Sequence, residues 1–220
     1  MTARRLAAPL LLIAALLLSS CSTAYYATME KLGIPKRDIL VSRVEKARDA
    51  QTEAKEEFTD ALSRFLELTR VEPGEIESVY RRLAGELEDC EERTAEVRER
   101  IKAIEDVSEA LYDEWREEAA SIKNPRDRRE SERLLRETRV RSVNLVRTMK
   151  IAANRMDPIL QQFRDKVLVL KANLNAQAVA GLSGTVAVLQ EDVGRLVNDM
   201  ERAIQEAEAF LAGLESPRRD

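Results

Sequence analysis

Residues 75–122 read EIESVYRRLAGELEDCEERTAEVRERIKAIEDVSEALYDEWREEAASI. Within this stretch Ile76, Tyr80, Leu83, Leu87, Cys90, Thr94, Val97, Ile101, Ile104, Ser108, Leu111 and Trp115 follow one another in alternating steps of four and three. Ten of the twelve are apolar, and Thr94 and Ser108 are small hydroxyl residues. A four-three step averages close to the 3.6 residues of one helical turn, so these side chains form a single stripe along one helix. At ~1.5 Å per residue that helix is roughly 70 Å long. A stripe of that length is buried only against other helices lying alongside it, so this is a heptad seam.

The flanking sequence supplies the partners. Pro35 suits the first turn of a helix, where no N–H bond is needed. From about Lys36 to Arg70 the positions Leu40, Val44, Ala47, Gln51, Ala54, Phe58, Ala61, Phe65 and Leu68 form a second four-three seam. Glu72-Pro73-Gly74-Glu75 breaks it, and so short a connection makes the two helices antiparallel. Lys123-Asn124-Pro125 ends the helix of residues 75–122, because the residue before proline is pushed out of the helical region. A third helix is expected from Pro125 or Arg126 to about Leu182, with the seam Leu135, Thr138, Ser142, Leu145, Met149, Ala152, Met156, Ile159 and Phe163. Val167, Leu170 and Leu174 continue it after a stutter beside Pro158, where a kink is expected. After Gly181-Leu182-Ser183-Gly184-Thr185, a last helix to about Gly213 carries Val186, Leu189, Val193, Leu196, Met200, Ala203, Ala207, Phe210 and Leu214. No strand pattern appears. The expected fold is all-α: an elongated antiparallel helical bundle, or coiled coil, of four long helices, the third kinked near Pro158.

Composition agrees. Charged residues make up 35% of the 220 positions and aromatics 4%, with only 7 Gly and 6 Pro, as long helices require. Residues 75–122 carry sixteen acidic and seven basic side chains, whereas 125–158 carry ten basic and five acidic, which favours their pairing as neighbours. The net charge is -4, or -6 without Arg4 and Arg5, which gives no whole-molecule attraction to nucleic acid. Histidine is absent. That removes the commonest general base, the usual zinc and haem ligand and the imidazole-dependent triads. No phosphate-binding loop or nucleophile elbow occurs. No cofactor, no metal site and no enzymatic activity are expected.

The N-terminus gives an address. Arg4 and Arg5, an apolar run from Leu6 to Leu18 and Ser19-Ser20-Cys21 form a secretory signal, too short for a comfortable membrane span. Leu18-Ser19-Ser20-Cys21 resembles the bacterial lipobox, which implies cleavage before Cys21 and acylation there, palmitate included. The alternative is an ordinary cleaved signal followed by a free thiol. Each buried methylene of an anchor contributes ~0.8 kcal/mol, so two or three chains hold a protein on a bilayer. Ser22, in place of the Asp that retains such lipoproteins in the inner membrane, favours the periplasmic face of the outer membrane. The expected organisation is a cleaved signal at 1–20, a lipidated N-terminus and spacer at 21–34, the rod at 35–215 and a polar tail at 216–220. The spacer's Tyr25, Tyr26, Met29 and Leu32 either pack back on the rod or sit near lipid. Counting residues puts the start of the first helix level with residue 110, so the tether leaves near the 123–126 turn. Cys90 is then the only other thiol, either a buried inert seam residue or half of an intermolecular disulfide.

The runs Gly33-Ile34-Pro35-Lys36-Arg37-Asp38-Ile39-Leu40-Val41 and Val44-Glu45-Lys46-Ala47-Arg48-Asp49-Ala50-Gln51 resemble the start of domain-of-unknown-function family 2959, a family of Gram-negative exported lipoproteins. So do Ala110-Leu111-Tyr112-Asp113-Glu114-Trp115, and Met156-Asp157-Pro158-Ile159-Leu160 through Leu170-Lys171-Ala172-Asn173-Leu174-Asn175-Ala176. The resemblance implies a helical, exported, often lipidated protein and carries no activity or site residues.

Three groups are candidate interaction surfaces. Lys123, Arg126, Arg128, Arg129 and Arg133 form a basic tip that could meet anionic headgroups, or a solvated charge run balanced by Asp127, Glu130 and Glu132. Asn154, Lys171, Asn173, Asn175 and Gln177 form either a hydrogen-bonding surface for a partner or ligand, or amides that lie on the helix surface or fix its register. Tyr112 with Trp115 is an interface anchor or the packed end of the core. The expected role is a lipid-anchored periplasmic coiled-coil protein, structural or adaptor in kind, with an envelope protein partner. The alternative is a binding module, a chaperone or carrier of an apolar ligand or client chain.

Overall fold

The computed structural model describes residues 25–68, 75–172, 184 and 186–215. Among these there is no strand. A short helix, α1, covers residues 25–31. Four long helices follow: α2 (Lys36–Leu68), α3 (Ile76–Ser121), α4 (Pro125–Ala172) and α5 (Val186–Glu215). At 46 residues α3 is roughly 70 Å long.

The cross-helix pairs give the directions. Between α2 and α3, Arg43 donates to the Ala103 carbonyl (2.6 Å), Arg93 pairs with Glu53 (2.7 Å) and Arg64 with Glu86 (3.4 Å). As one residue number rises the other falls, so the helices are antiparallel. The same holds between α3 and α4 for Ser108 with Ser142 (3.2 Å), Lys150 with Glu105 (2.6 Å) and Arg98 with Asp157 (2.7 Å). Gln162 to Asp192 and Arg155 to Asp199 place α5 antiparallel to α4. Arg37 at the Leu214 carbonyl and Lys55 with Glu201 close α5 against α2. The bundle is therefore a ring, each long helix packed mainly on two others.

None of the twelve seam residues of α3 is exposed. The core changes character along its length. Ala47, Ala50 and Ala54 of α2 and Ala203 and Ala207 of α5 are buried near mid-bundle, where small side chains let two backbones approach. Val97, Ile101, Ile104, Met149 and Met156 of α3 and α4 fill the same region from the other side. Towards the α2–α3 connection, Phe58, Phe65 and Phe163 take over, the last two in an edge-to-face contact with centroids 6.1 Å apart.

Several boundaries differ from the sequence expectation. Gly213 does not stop the last helix. α5 continues to Glu215, and the Arg141 side chain lies where a Cβ on Gly213 would point. In keeping with the expectation, α4 passes through Pro158 as one continuous helix, with Pro158 on its exposed side. The expected course of α4 beyond Ala172 lies outside the described residues. The spacer is partly structured: α1 turns at Gly33, in the left-handed region at φ 79°, and runs back along α2. Tyr26 is buried there, its hydroxyl accepting from Arg43 (2.9 Å), and the Arg43 guanidinium lies over the Tyr25 and Tyr26 rings. The start of α1 thus lies on the side of the bundle, level with Arg43 and Ala103.

Lys36 pairs with Glu114 (3.1 Å), which sets the start of α2 four residues from the expected level. Lys36 at Glu114 and Gly213 at Arg141 mark where the start of α2 and the end of α5 stand against α3 and α4. The four-helix body steps down to a two-helix projection about 24 Å long, taking ~1.5 Å for each residue of α4 from Pro125 to Val140.

Candidate interaction surfaces

The tip of the projection is built by a tight turn. The residue before Pro125 leaves the helical region, and Ile122 is already extended (ψ 120°), its N–H bonded to the Ala119 carbonyl (3.2 Å). Asn124 caps α4, its Oδ1 accepting from the Arg126 N–H (2.9 Å). Arg128 folds back and donates twice to the Ile122 carbonyl (2.9 and 2.7 Å), satisfying one of the acceptors α3 leaves open. Of the five basic residues read as the tip, Lys123, Arg126 and Arg129 are exposed without a structural task, whereas Arg128 holds the turn. Arg133, the fifth, is engaged by Glu130 (2.5 Å) and Glu137 (2.6 Å).

At the step between body and projection lies a notch of about 840 Å³. Leu111, Trp115, Leu134 and Leu214 give it apolar walls. Lys36, Arg37 and Arg141 are its cations, against Glu30, Glu114 and Glu118. Trp115 anchors one wall by donating from Nε1 to Ser131 Oγ (3.0 Å). Burial works to lower the Lys36 pKa, but hydrogen bonds to Glu30 and Glu114 outweigh it and leave the ammonium above its usual value. Trp115 therefore neither closes a core nor stands free: it is half-buried at the notch.

A second concavity, about 550 Å³, is an open groove along the outer face of α3 and α4. Val143, Val146 and Ile151 give it apolar surface, with Val143 57% and Ile151 50% exposed. Glu105, Glu109 and Asp113 line the α3 edge, and Arg139, Arg147 and Lys150 the α4 edge. Arg116, paired with Asp113 (2.9 Å), is the one basic lining residue on α3. Tyr112 lies in the floor, 5% exposed, with its hydroxyl beside those of Ser142 and Ser108. Burial raises its pKa, opposed by the neighbouring Ser142 and Ser108 hydroxyls. Asn154 also lines this groove. Asn173, Asn175 and Gln177, like Cys21, lie outside the described residues.

Polar groups inside the bundle are structural in setting. Asp199 is buried and held by Arg155 and Arg202. Thr94 returns its hydroxyl to the Cys90 carbonyl (2.7 Å). Cys90 is a free, buried thiol. Its pKa is driven far up, first by burial and then by Glu57, Glu86, Asp89 and Glu91, so it is held as the unreactive thiol. The same crowding pushes the Glu57 carboxyl above its usual range, burial first, then Asp89 and Glu86. A carboxyl whose pKa is raised by folding opposes folding above that pKa and ceases to do so as pH falls through it. Glu57→Gln should therefore raise the melting temperature at pH 7, with the gain vanishing at pH values where Glu57 is protonated. A melting series across pH checks both halves.

Among the described residues no three His, Cys, Asp or Glu side chains are grouped to hold a metal ion, and no helix is long and apolar enough to cross a membrane. The seam pattern missed Val140, Val143 and Ile151, which lie off the heptad stripe of α4. Their signal was available as apolar residues on the helix's outer face. It missed Asp199 because that acid sits one residue before Met200 and only the fold shows it turned inward.

The model of the family described as "Protein of unknown function (DUF2959)" matches residues 25–214, which begins at α1 and ends with the last buried residue of α5. The chain belongs to the DUF2959 family. The match includes both the α1 segment and the two-helix projection, so neither lies outside the DUF2959 unit. No curated protein and no solved structure matches the chain.

Proposed function

We propose that this DUF2959 chain is a lipid-anchored scaffold, held through Cys21 on the periplasmic face of the outer membrane and presenting helical surface to an envelope protein. The observation that carries this reading is where shape and charge are placed. The described core is filled by heptad side chains, while the notch, the groove and the basic projection all lie on the outside. The Leu18-Ser19-Ser20-Cys21 pattern and Ser22 support the address. The proposal assigns the chain no catalysis and no cofactor.

In-cell crosslinking of the full chain followed by mass spectrometry tests the scaffold reading, with Cys21→Ser as control. One recurrent partner, lost in the control, is expected. Scattered neighbours, or the same partner in both, would defeat membrane-positioned scaffolding.

The basic projection supplies a second contact with the bilayer in this reading. Reversing Lys123, Arg126 and Arg129 to Glu in a Cys21→Ser chain should weaken binding to anionic vesicles about tenfold or more, since each juxtamembrane cation contributes ~1 kcal/mol. Arg128 is spared because its loss would open the turn. Unchanged binding would leave these residues as an ordinary solvated surface.

A bend in α4 at Pro158 belongs to the same proposal, since it would set the curvature of the presented surface. Pro158 cannot donate to the Asn154 carbonyl one turn back. Pro158→Ala restores that bond but loses proline's restriction of the unfolded chain, for a net gain of about 1 kcal/mol. Chemical denaturation reads this directly, and a loss of stability would mean that α4 needs its proline.

The notch favours the second reading, a carrier of an apolar ligand or client chain, because its volume and apolar walls suit one. A carrier should take up a hydrophobic probe and melt higher with it by mass action. A scaffold should do neither.

A further inference from the structure

We infer that the outer groove of α3 and α4 is the seat of a second copy of this chain, paired about a two-fold axis parallel to the bundle.

Glu105, Glu109 and Asp113 make the α3 edge acidic, and Arg139, Arg147 and Lys150 make the α4 edge basic. The edges stand level with each other, because Lys150 reaches Glu105 (2.6 Å) and Ser142 reaches Ser108 (3.2 Å) across the groove. A two-fold axis running along the groove therefore lays the acidic edge of one copy on the basic edge of the other without sliding them. Glu109 comes level with Arg147 of the second copy, and Asp113 within a turn of its Arg139. An axis perpendicular to the helices would set carboxylates against carboxylates and guanidinium groups against guanidinium groups, which is repulsive. The face is thus self-complementary in one orientation, as an isologous interface must be.

The apolar surface lies where such a pairing needs it. Val140, Val143 and Ile151 are 59%, 57% and 50% exposed along α4. Val143 and Ile151 line the groove, and Val140 lies beside it with Arg136, Glu137 and Arg141, so the three cover roughly 16 Å of helix. Single exposed apolar residues are ordinary, but three β-branched residues on the solvent side of one helix, beside a groove, form the centre of a packed face.

The test uses the full chain in cells. Val143→Cys lies next to the proposed axis, so a short bifunctional thiol reagent should join two copies and give an adduct of twice the chain mass. Val188→Cys, equally exposed on α5, should give none. Glu109→Arg with Asp113→Arg should cut the adduct at least tenfold, and so should Arg139→Glu with Arg147→Glu. All four changes together restore the complementarity and should restore the adduct. The Val143→Cys result stands alone if a charge variant does not accumulate. Absence of the adduct, equal adducts from Val143→Cys and Val188→Cys, or no restoration in the fourfold variant would overturn the pairing. An adduct of another mass would also overturn it, assigning the groove to a different helical protein.

Discussion

Phe163→Ala should lower the stability of the bundle by about 3–5 kcal/mol, which for a chain of this size is roughly 10 °C in melting temperature. Phe163 is buried on α4 and meets the Phe65 ring edge-on across the core, with centroids 6.1 Å apart. Truncation removes the transfer energy of the ring, leaves a cavity between four long helices and strands Phe65 without its partner. The helices can collapse only partly, because the alanine-rich layers nearer mid-bundle already fix their spacing. Phe65→Ala should cost a similar amount. The double variant should cost less than the sum, since both single changes destroy the same contact. Chemical denaturation of the three variants measures this, and strict additivity would show that the rings do not act together.

Gln51→Leu should move stability the other way, by about 1–3 kcal/mol, the cost of leaving a buried amide unpaired. Gln51 is fully buried on the α2 seam, and neither its Nε2 nor its Oε1 has a hydrogen-bond partner. Leucine is close in size and has no polar atoms to desolvate. Gln51→Ala separates the two effects, because it removes the amide but opens a cavity and should lose stability. A buried polar seam residue can also hold helices in register, as a single amide does in coiled coils. Gln51→Leu is then expected to melt higher but less cooperatively. A Gln51→Leu variant that melts lower would show that the amide is satisfied in solution.

The long helices were legible because burial acts on a repeat. None of the twelve four-three positions of α3 is exposed, and in α5 the seam positions from Leu189 to Leu214 are buried without exception. Ends were less legible where side chains from elsewhere decide them. Gly213 reads as a stop, yet α2 and α4 hold the last turn of α5 through Arg37 at the Leu214 carbonyl and Arg141 over Gly213. The spacer was undecidable for the same reason, since Tyr26 is buried only because Arg43 reaches out to it. The basic tip was visible as composition, but the difference between Arg128 and its neighbours is one of hydrogen bonding and left no trace in the sequence. The groove of α3 and α4 depends on which off-seam residues of two helices stand level, a relation that antiparallel register supplies and a single-helix pattern cannot.

The ring of helices also has a kinetic meaning. α2 on α3, α3 on α4 and α4 on α5 are contacts between neighbours in the chain, and the closure of α5 on α2 is the main packing that joins elements distant in sequence. Helical chains with so large a share of local contacts fold in microseconds to milliseconds. Hairpins of adjacent helices have little loop entropy to overcome, whereas the α2–α5 closure must wait for three helices to be in place. Assembly should therefore end, and unfolding begin, along the alanine face that α2 and α5 share, and hydrogen exchange should find α5 opening before α3.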